Sequence, residues 1–135
     1  MSTAENKALV RNMFTALSKG DAEGWLGAMA DDARIVTTGT TIVSGNHTKA
    51  EYIAKAFNVA IPQLDDRGVV LTPDNFIAEG DYVAVQLHGQ ATTKAGKPYN
   101  NTYCMVFRIA NGKVQELIEY CDTELITAAF GKLSE

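Results

Sequence analysis

The sequence predicts an α+β fold, with N-terminal helices packed on a curved antiparallel sheet and a short C-terminal helix. Three observations support that order. Apolar residues recur at helical spacing through the first third of the chain, strand-like runs dominate from Val69 to Tyr120, and Asn111-Gly112 carries the signature of a tight hairpin.

Ser2 and Glu5 stand at the spacing where each side chain satisfies a backbone amide of the other. They open a helix whose Val10, Met13, Phe14 and Leu17 form one apolar stripe. Gly20 stops it, and Asp21 caps a short second helix carrying Trp25, Leu26 and Met29. Residues 35–37 and 40–43 read as two short β-branched strands around Gly39, ended by Gly45-Asn46. Thr48 and Glu51 repeat the capping spacing, and Tyr52, Ile53, Ala56 and Phe57 give a third helix its apolar side until Pro62.

Residues 69–71 are expected to stop at Pro73, and 76–78 at Gly80-Asp81. Tyr82 starts a long strand toward Thr93, and Gly96 lies in a hairpin loop over 94–97. Asn111-Gly112 accept positive φ at both turn positions at little cost, joining a strand over 99–110 to one over 113–120. Asp122 caps a last helix bearing Leu125, Ile126, Ala129 and Phe130.

A chain of 135 residues suits one domain spanning 1–135. At 46% hydrophobic and 21% charged residues it reads as globular rather than disordered or fibrous. The net charge of -4 and the scatter of its lysines give no basic field to hold a phosphate backbone, so nucleic acid is not an expected partner. No apolar run reaches the roughly eighteen residues that cross a bilayer, and the first ten residues lack the basic-then-apolar layout of a secretory signal. No membrane partner and a cytoplasmic location are expected.

Cys104 and Cys121 are too few for a disulfide scaffold and lack metal-ligand spacing, which makes them buried or half-buried thiols. His47 and His88 are the only histidines, and no HExxH or clustered Cys/His pattern accompanies them, so no metal is expected. No glycine-rich phosphate loop follows a strand, so no cofactor is expected either.

The order of elements, together with GKPYNNTYCMVFRIANGKVQELIEYCDT (96–123) and KGDAEGWLGAMADDARIV (19–36), resembles the NTF2-like superfamily, particularly its SnoaL-like, ketosteroid-isomerase-like and limonene-epoxide-hydrolase-like members. The resemblance covers nearly the whole chain. It implies a cone-shaped fold, with helices closing over the concave sheet face around a pocket that hosts isomerases, cyclases, hydrolases and plain binding domains alike.

By that resemblance, the places of the steroid isomerases' tyrosine, aspartate base and protonated acid are held by Phe14, Thr37 and Met105, which disfavours steroid isomerisation by that mechanism. The epoxide hydrolases' two carboxylates correspond to His88 and Glu119, and their arginine to Gln86, so the central cation is lost.

Gln86, His88 and Gln90 alternate with Val85, Leu87 and Gly89 and therefore share one strand face. Asn101, Tyr103, Met105 and Phe107 share a face of the next strand, which the resemblance assigns to the cavity. The expected catalytic set is His88 and Glu119, neighbours across the sheet, with Tyr103 or Asn101 donating to a developing oxyanion. Gln86, Gln90, Asn101, Met105, Phe14, Trp25, Tyr52 and Cys121 are the expected ligand pocket. For His88 a solvated or structural role stands beside the catalytic one, and for Tyr103 packing stands beside ligand contact. Asp122 reads as a helix cap and His47 as the entrance to the third helix.

Three function classes follow. The first is a cofactor-independent acid-base enzyme, of isomerase, cyclase or hydrolase type, acting on a small, largely apolar molecule. The second is a protein that binds such a molecule unchanged. The third is an interaction module pairing as a homodimer through an outer sheet face that carries Thr102, Cys104, Val106 and Arg108.

Overall fold

The computed structural model describes residues 1–132. Helix α1 (Thr3–Ser18) starts on the predicted reciprocal cap, with Glu5 N donating to Ser2 Oγ at 3.1 Å and Ser2 N donating to Glu5 Oε1 at 3.0 Å. Asp21 caps α2 (Ala22–Leu26) through Gly24 N at 3.0 Å, and Thr48 and Glu51 form the second reciprocal cap at α3 (Lys49–Tyr52). Asp122 caps α4 (Thr123–Phe130) through Leu125 N. No helix among the described residues is long and apolar enough to cross a membrane.

The strands are β1 (Met29–Thr37), β2 (Gly45–His47), β3 (Val70–Glu79), β4 (Tyr82–Gln90), β5 (Thr102–Ala110) and β6 (Lys113–Cys121), and they form one open sheet in the order β2-β1-β6-β5-β4-β3. All neighbours are antiparallel except β1 and β6, which run parallel. Asn111 (φ 54°) and Gly112 (φ 70°) make the β5–β6 turn with both central residues left-handed, as the Asn-Gly pair predicts.

Four expected elements differ. Met29, expected on the second helix, lies beyond its end at Leu26 and opens β1. Residues 40–43 form a turn rather than a strand, because Ser and Thr side chains there satisfy the backbone locally. Ser44 Oγ accepts from Thr41 N at 2.8 Å and donates to Thr38 O at 3.0 Å. The expected terminator Gly45-Asn46 instead belongs to β2.

The two short strands around Pro73 are one strand, β3, interrupted by a bulge that leaves Asp74 without a β4 partner. Pro73 is tolerated because β3 is an edge strand, with no neighbour on its other side to take an amide. Beyond Tyr52 the third helix widens into a π-helical stretch, Ile53–Ala60, and finishes as a 3-10 turn, Ile61–Gln63, that contains Pro62.

The inner sheet face carries Val83, Val85 and Leu87 of β4, Tyr103, Met105, Phe107 and Ile109 of β5, and Val114 and Leu117 of β6. Val10, Met13 and Phe14 of α1 and Trp25 of α2 cover one end of it. There Phe14, Trp25 and Phe107 meet edge to face, with ring centroids 5.1 to 6.1 Å apart, and fill the space. A second cluster of Leu64, Ala91, Tyr99 and Ile126 closes the other end. Between the two clusters the core is hollow.

Candidate functional site

The hollow is an apolar cavity with about 160 Å³ of open space, walled by the inner sheet face, the π-helical stretch and α4. Its helical wall follows a period near five residues. Tyr52 and Phe57, Lys55 and Ala60, and Ala56 and Ile61 are i, i+5 pairs that all face the cavity, and the Tyr52 and Phe57 rings touch at 5.8 Å. An α-helical reading of the same residues places Ile53 on that face and leaves Lys55 off it, because a π turn takes about 4.4 residues instead of 3.6. Widened turns of this kind are frequent at functional sites.

Cross-strand pairing sets the polar end. One inner row runs Gly45–Thr37–Glu119–Met105–Val85, and the next runs His47–Ile35–Leu117–Phe107–Val83. Glu119 is thus held between Thr37, whose Oγ1 donates to its carboxylate at 3.4 Å, and the apolar Met105. Burial pushes its pKa up to about 7, and the Thr37 hydroxyl only partly opposes the shift. A carboxyl with that pKa is both an available base and an available acid at neutral pH.

Three tyrosines stand around it. Tyr52 Oη accepts from the Trp25 indole N–H at 3.2 Å, which fixes the phenol and leaves its own hydrogen free to donate. Tyr99 Oη accepts from Asn101 Nδ2 at 3.1 Å and is coupled to the Tyr103 hydroxyl. Burial, reinforced by the charge of Glu119, raises the pKa of all three, that of Tyr99 to about 12. They are therefore neutral hydrogen-bond donors and not bases. Burial likewise pushes the Cys121 thiol up to about 12, so it is no nucleophile at neutral pH.

Of the expected site residues, Glu119, Tyr103, Met105, Trp25 and Tyr52 line the cavity together. Asn101 is buried behind it and ties the chain instead: its carboxamide oxygen accepts from Thr102 N and Asp122 N, and its Nδ2 donates to Tyr99 Oη and Asp122 O. Phe14 belongs to the packed aromatic end, and Cys121 is half-buried against the core without facing the cavity.

His88, Gln86 and Gln90 are on the opposite face of β4, so the expected His88–Glu119 pair is not formed. The His88 Nδ1 meets the bulged Asp74 carboxylate at 2.8 Å at the surface, and Gln86 pairs with Asn75 there. The reason is ordinary partition. Val83, Val85 and Leu87 are the apolar set of an alternating strand with one wet face, and they take the core side.

Sequence reasoning missed His47, Lys55 and Tyr99 as cavity residues, whereas Thr37, which the resemblance set at the place of the steroid isomerases' base, does line the cavity. Gly45 was a signal for His47, since glycine in a strand marks a close approach. A Cβ at Gly45 meets the His47 imidazole at 2.9 Å, so the ring lies over the glycine, in the row of Thr37 and Glu119.

A family model described as a SnoaL-like domain matches residues 10–117. An NTF2-like protein of unknown function from Burkholderia pseudomallei superposes with a TM-score of 0.82 at 25% identity, covering 96% of this chain and 98% of that one. AclR from Streptomyces galilaeus, a proposed hydroxylase, superposes with a TM-score of 0.78 at 22% identity, covering 99% and 89%. IdmH from Streptomyces antibioticus, a proposed polyketide cyclase, gives 0.72 at 20% identity, covering 93% and 98%. The last two likenesses establish the shared fold. No protein of curated function matches the sequence.

Proposed function

The chain belongs to the SnoaL-like domain family, and from that premise we propose that it is a cofactor-independent acid-base enzyme acting on a small, largely apolar carbonyl compound held in the cone. One observation carries the reading: a single carboxyl, Glu119, sits in a largely apolar cavity with its pKa raised to about 7 and neutral phenol donors around it. An inert binding pocket gains nothing from a half-ionised carboxylate in an apolar lining, whereas proton transfer at neutral pH needs one.

In this proposal the Glu119 carboxylate removes a proton from a carbon next to the substrate carbonyl. The C–H electron pair moves into the new C=C bond and the carbonyl π pair moves onto oxygen, where Tyr52 or Tyr103 donates to the enolate. Where a C=C bond adjoins the acidic carbon, the resulting dienolate recovers the proton from Glu119 at its far carbon, an isomerisation; otherwise the enolate attacks a second carbonyl of the same molecule, a cyclisation in which Glu119 protonates the alkoxide. That IdmH, which shares this fold, is a proposed polyketide cyclase is in keeping with the cyclisation branch.

The direct test is hydrogen–deuterium exchange at the acidic carbon of 2-tetralone in D2O, followed by proton NMR. Exchange above the buffer rate that disappears in Glu119→Gln supports the reading. Parent and variant rates that are equal, with the ketone bound, leave the second function, ligand binding without turnover.

A homodimer through the outer sheet face is part of the same proposal. An apolar row, Val36–Ile118–Val106–Ala84–Ile77, crosses five strands on that face, and Ile77 is 52% exposed. Such a contiguous row on an open sheet favours a second copy as its cover.

A further inference from the structure

We propose that the ligand of this cavity carries one anionic group, a carboxylate or an ionised enol or phenol, and that His47 and Lys55 together form its subsite. The inference rests on reading the cavity as the substrate site and adds the class of substrate it takes.

His47 is 6% exposed and lines the cavity, yet neither ring nitrogen has a hydrogen-bond partner among the described residues. An imidazole that lines a cavity with neither nitrogen engaged by the protein is available to a group that arrives with the ligand. Its ring is held in place from below by Gly45, where any side chain would strike Nε2.

Lys55 lines the same cavity from the π-helical stretch and is half-buried, with no hydrogen bond or ion pair among the described residues. It is close enough for its charge to act on the imidazole, as do Arg34 and Glu51. Around the imidazole Lys55 and Arg34 thus set two positive charges against the one negative charge of Glu51, which also accepts from the Thr48 amide at 2.8 Å. The cavity flank around His47 is therefore electropositive, with one free cation and one free N–H donor, while the only carboxyl among the lining residues is Glu119. A ligand with an apolar body and one acidic substituent matches both ends: its anion meets Lys55 and His47, and its reacting carbon faces Glu119.

The test compares 2-naphthoate with 2-naphthamide, which share shape and differ in charge, by isothermal titration calorimetry at pH 7.5. The parent protein should bind the naphthoate roughly tenfold tighter. Lys55→Met should bring the two affinities to within about twofold, and His47→Gln should shrink the ratio by about threefold. In Glu119→Gln the ratio should widen, because the cavity no longer holds a second carboxylate to repel the first. Equal binding of the two probes to the parent overturns the anion subsite and leaves the Glu119 reading standing. A preference that survives both Lys55→Met and His47→Gln overturns it as well, since the anion then sits elsewhere. Absence of saturable binding by either probe overturns the subsite and the cavity's role as a ligand site together.

Discussion

Glu119 concentrates most of what is chemically unusual here, and its environment fixes the sign of several effects. A carboxyl whose folded pKa is raised from 4.5 to about 7 favours the folded state fully below the unfolded value, and that contribution is lost as pH climbs through 7. The parent should lose at most about 3 kcal/mol of stability from this group between pH 4 and 8. Glu119→Gln, which keeps the shape of the protonated carboxyl, should lack that slope, so in urea unfolding the variant should gain on the parent as pH rises from 4.5 through 7. A gap independent of pH would show that the carboxyl titrates normally.

Thr37 opposes the shift by donating to the carboxylate, so Thr37→Val should raise the Glu119 pKa further and move the acidic limb of a pH–rate profile to higher pH. Tyr52→Phe leaves the Trp25 indole N–H, buried at 1% exposure, without its acceptor. It should cost about 1–3 kcal/mol in thermal unfolding besides weakening any enolate stabilisation. Glu119 was legible in the sequence through the resemblance to the epoxide hydrolases, at the place of one of their carboxylates. Tyr103, Met105 and Tyr52 were legible beside it, but His47 and Tyr99 were not, because they come from separated segments that only cross-strand pairing and loop packing assemble.

At the scale of elements, β4 holds the cavity wall in place through a residue without a side chain. A Cβ at Gly89 would lie 3.0 Å from Leu71 Cδ2 and 3.1 Å from the Tyr103 ring, both of them cavity residues. Gly89→Ala should therefore displace the Tyr103 ring by a few tenths of an ångström and lower stability by about 1–3 kcal/mol. Ligand affinity should drop with it, by a calorimetric titration of the same naphthyl probes. Capping residues, the Asn-Gly turn and the strand periods were readable because each depends on neighbours within a few positions. The π-helical stretch was not, since nothing in Ile53–Ala60 separates a 4.4-residue turn from a 3.6-residue one until the cavity-facing set is known.

For the whole molecule, the sheet separates two environments. Its inner face carries the cavity, and its outer face carries the apolar row proposed to bind a second copy. Static light scattering should return twice the chain mass for the parent, and Val106→Glu, which puts a charge in the middle of that row, should return one chain mass with the cavity chemistry retained. A parent that stays at one chain mass at high concentration refutes the interface. The same partition placed His88 with Asp74 at the surface, where it is 47% exposed, instead of beside Glu119.

By itself the sequence determined the helix starts, the tight turns, the alternation of each strand and the resemblance to a helix-covered cone, all of which are local or cumulative properties of consecutive residues. It also contained the answer for β4, since an alternating strand with one buried face turns Val83, Val85 and Leu87 inward, a rule that residue correspondence with a distant family does not override. Only the tertiary structure decided which polar groups share the cavity. A period of two divides a strand into two sets but says nothing about which residues of other strands stand beside them. That choice belongs to sheet order and register, which put Thr37, Glu119 and Met105 in one row and brought His47 and Lys55 to its edge.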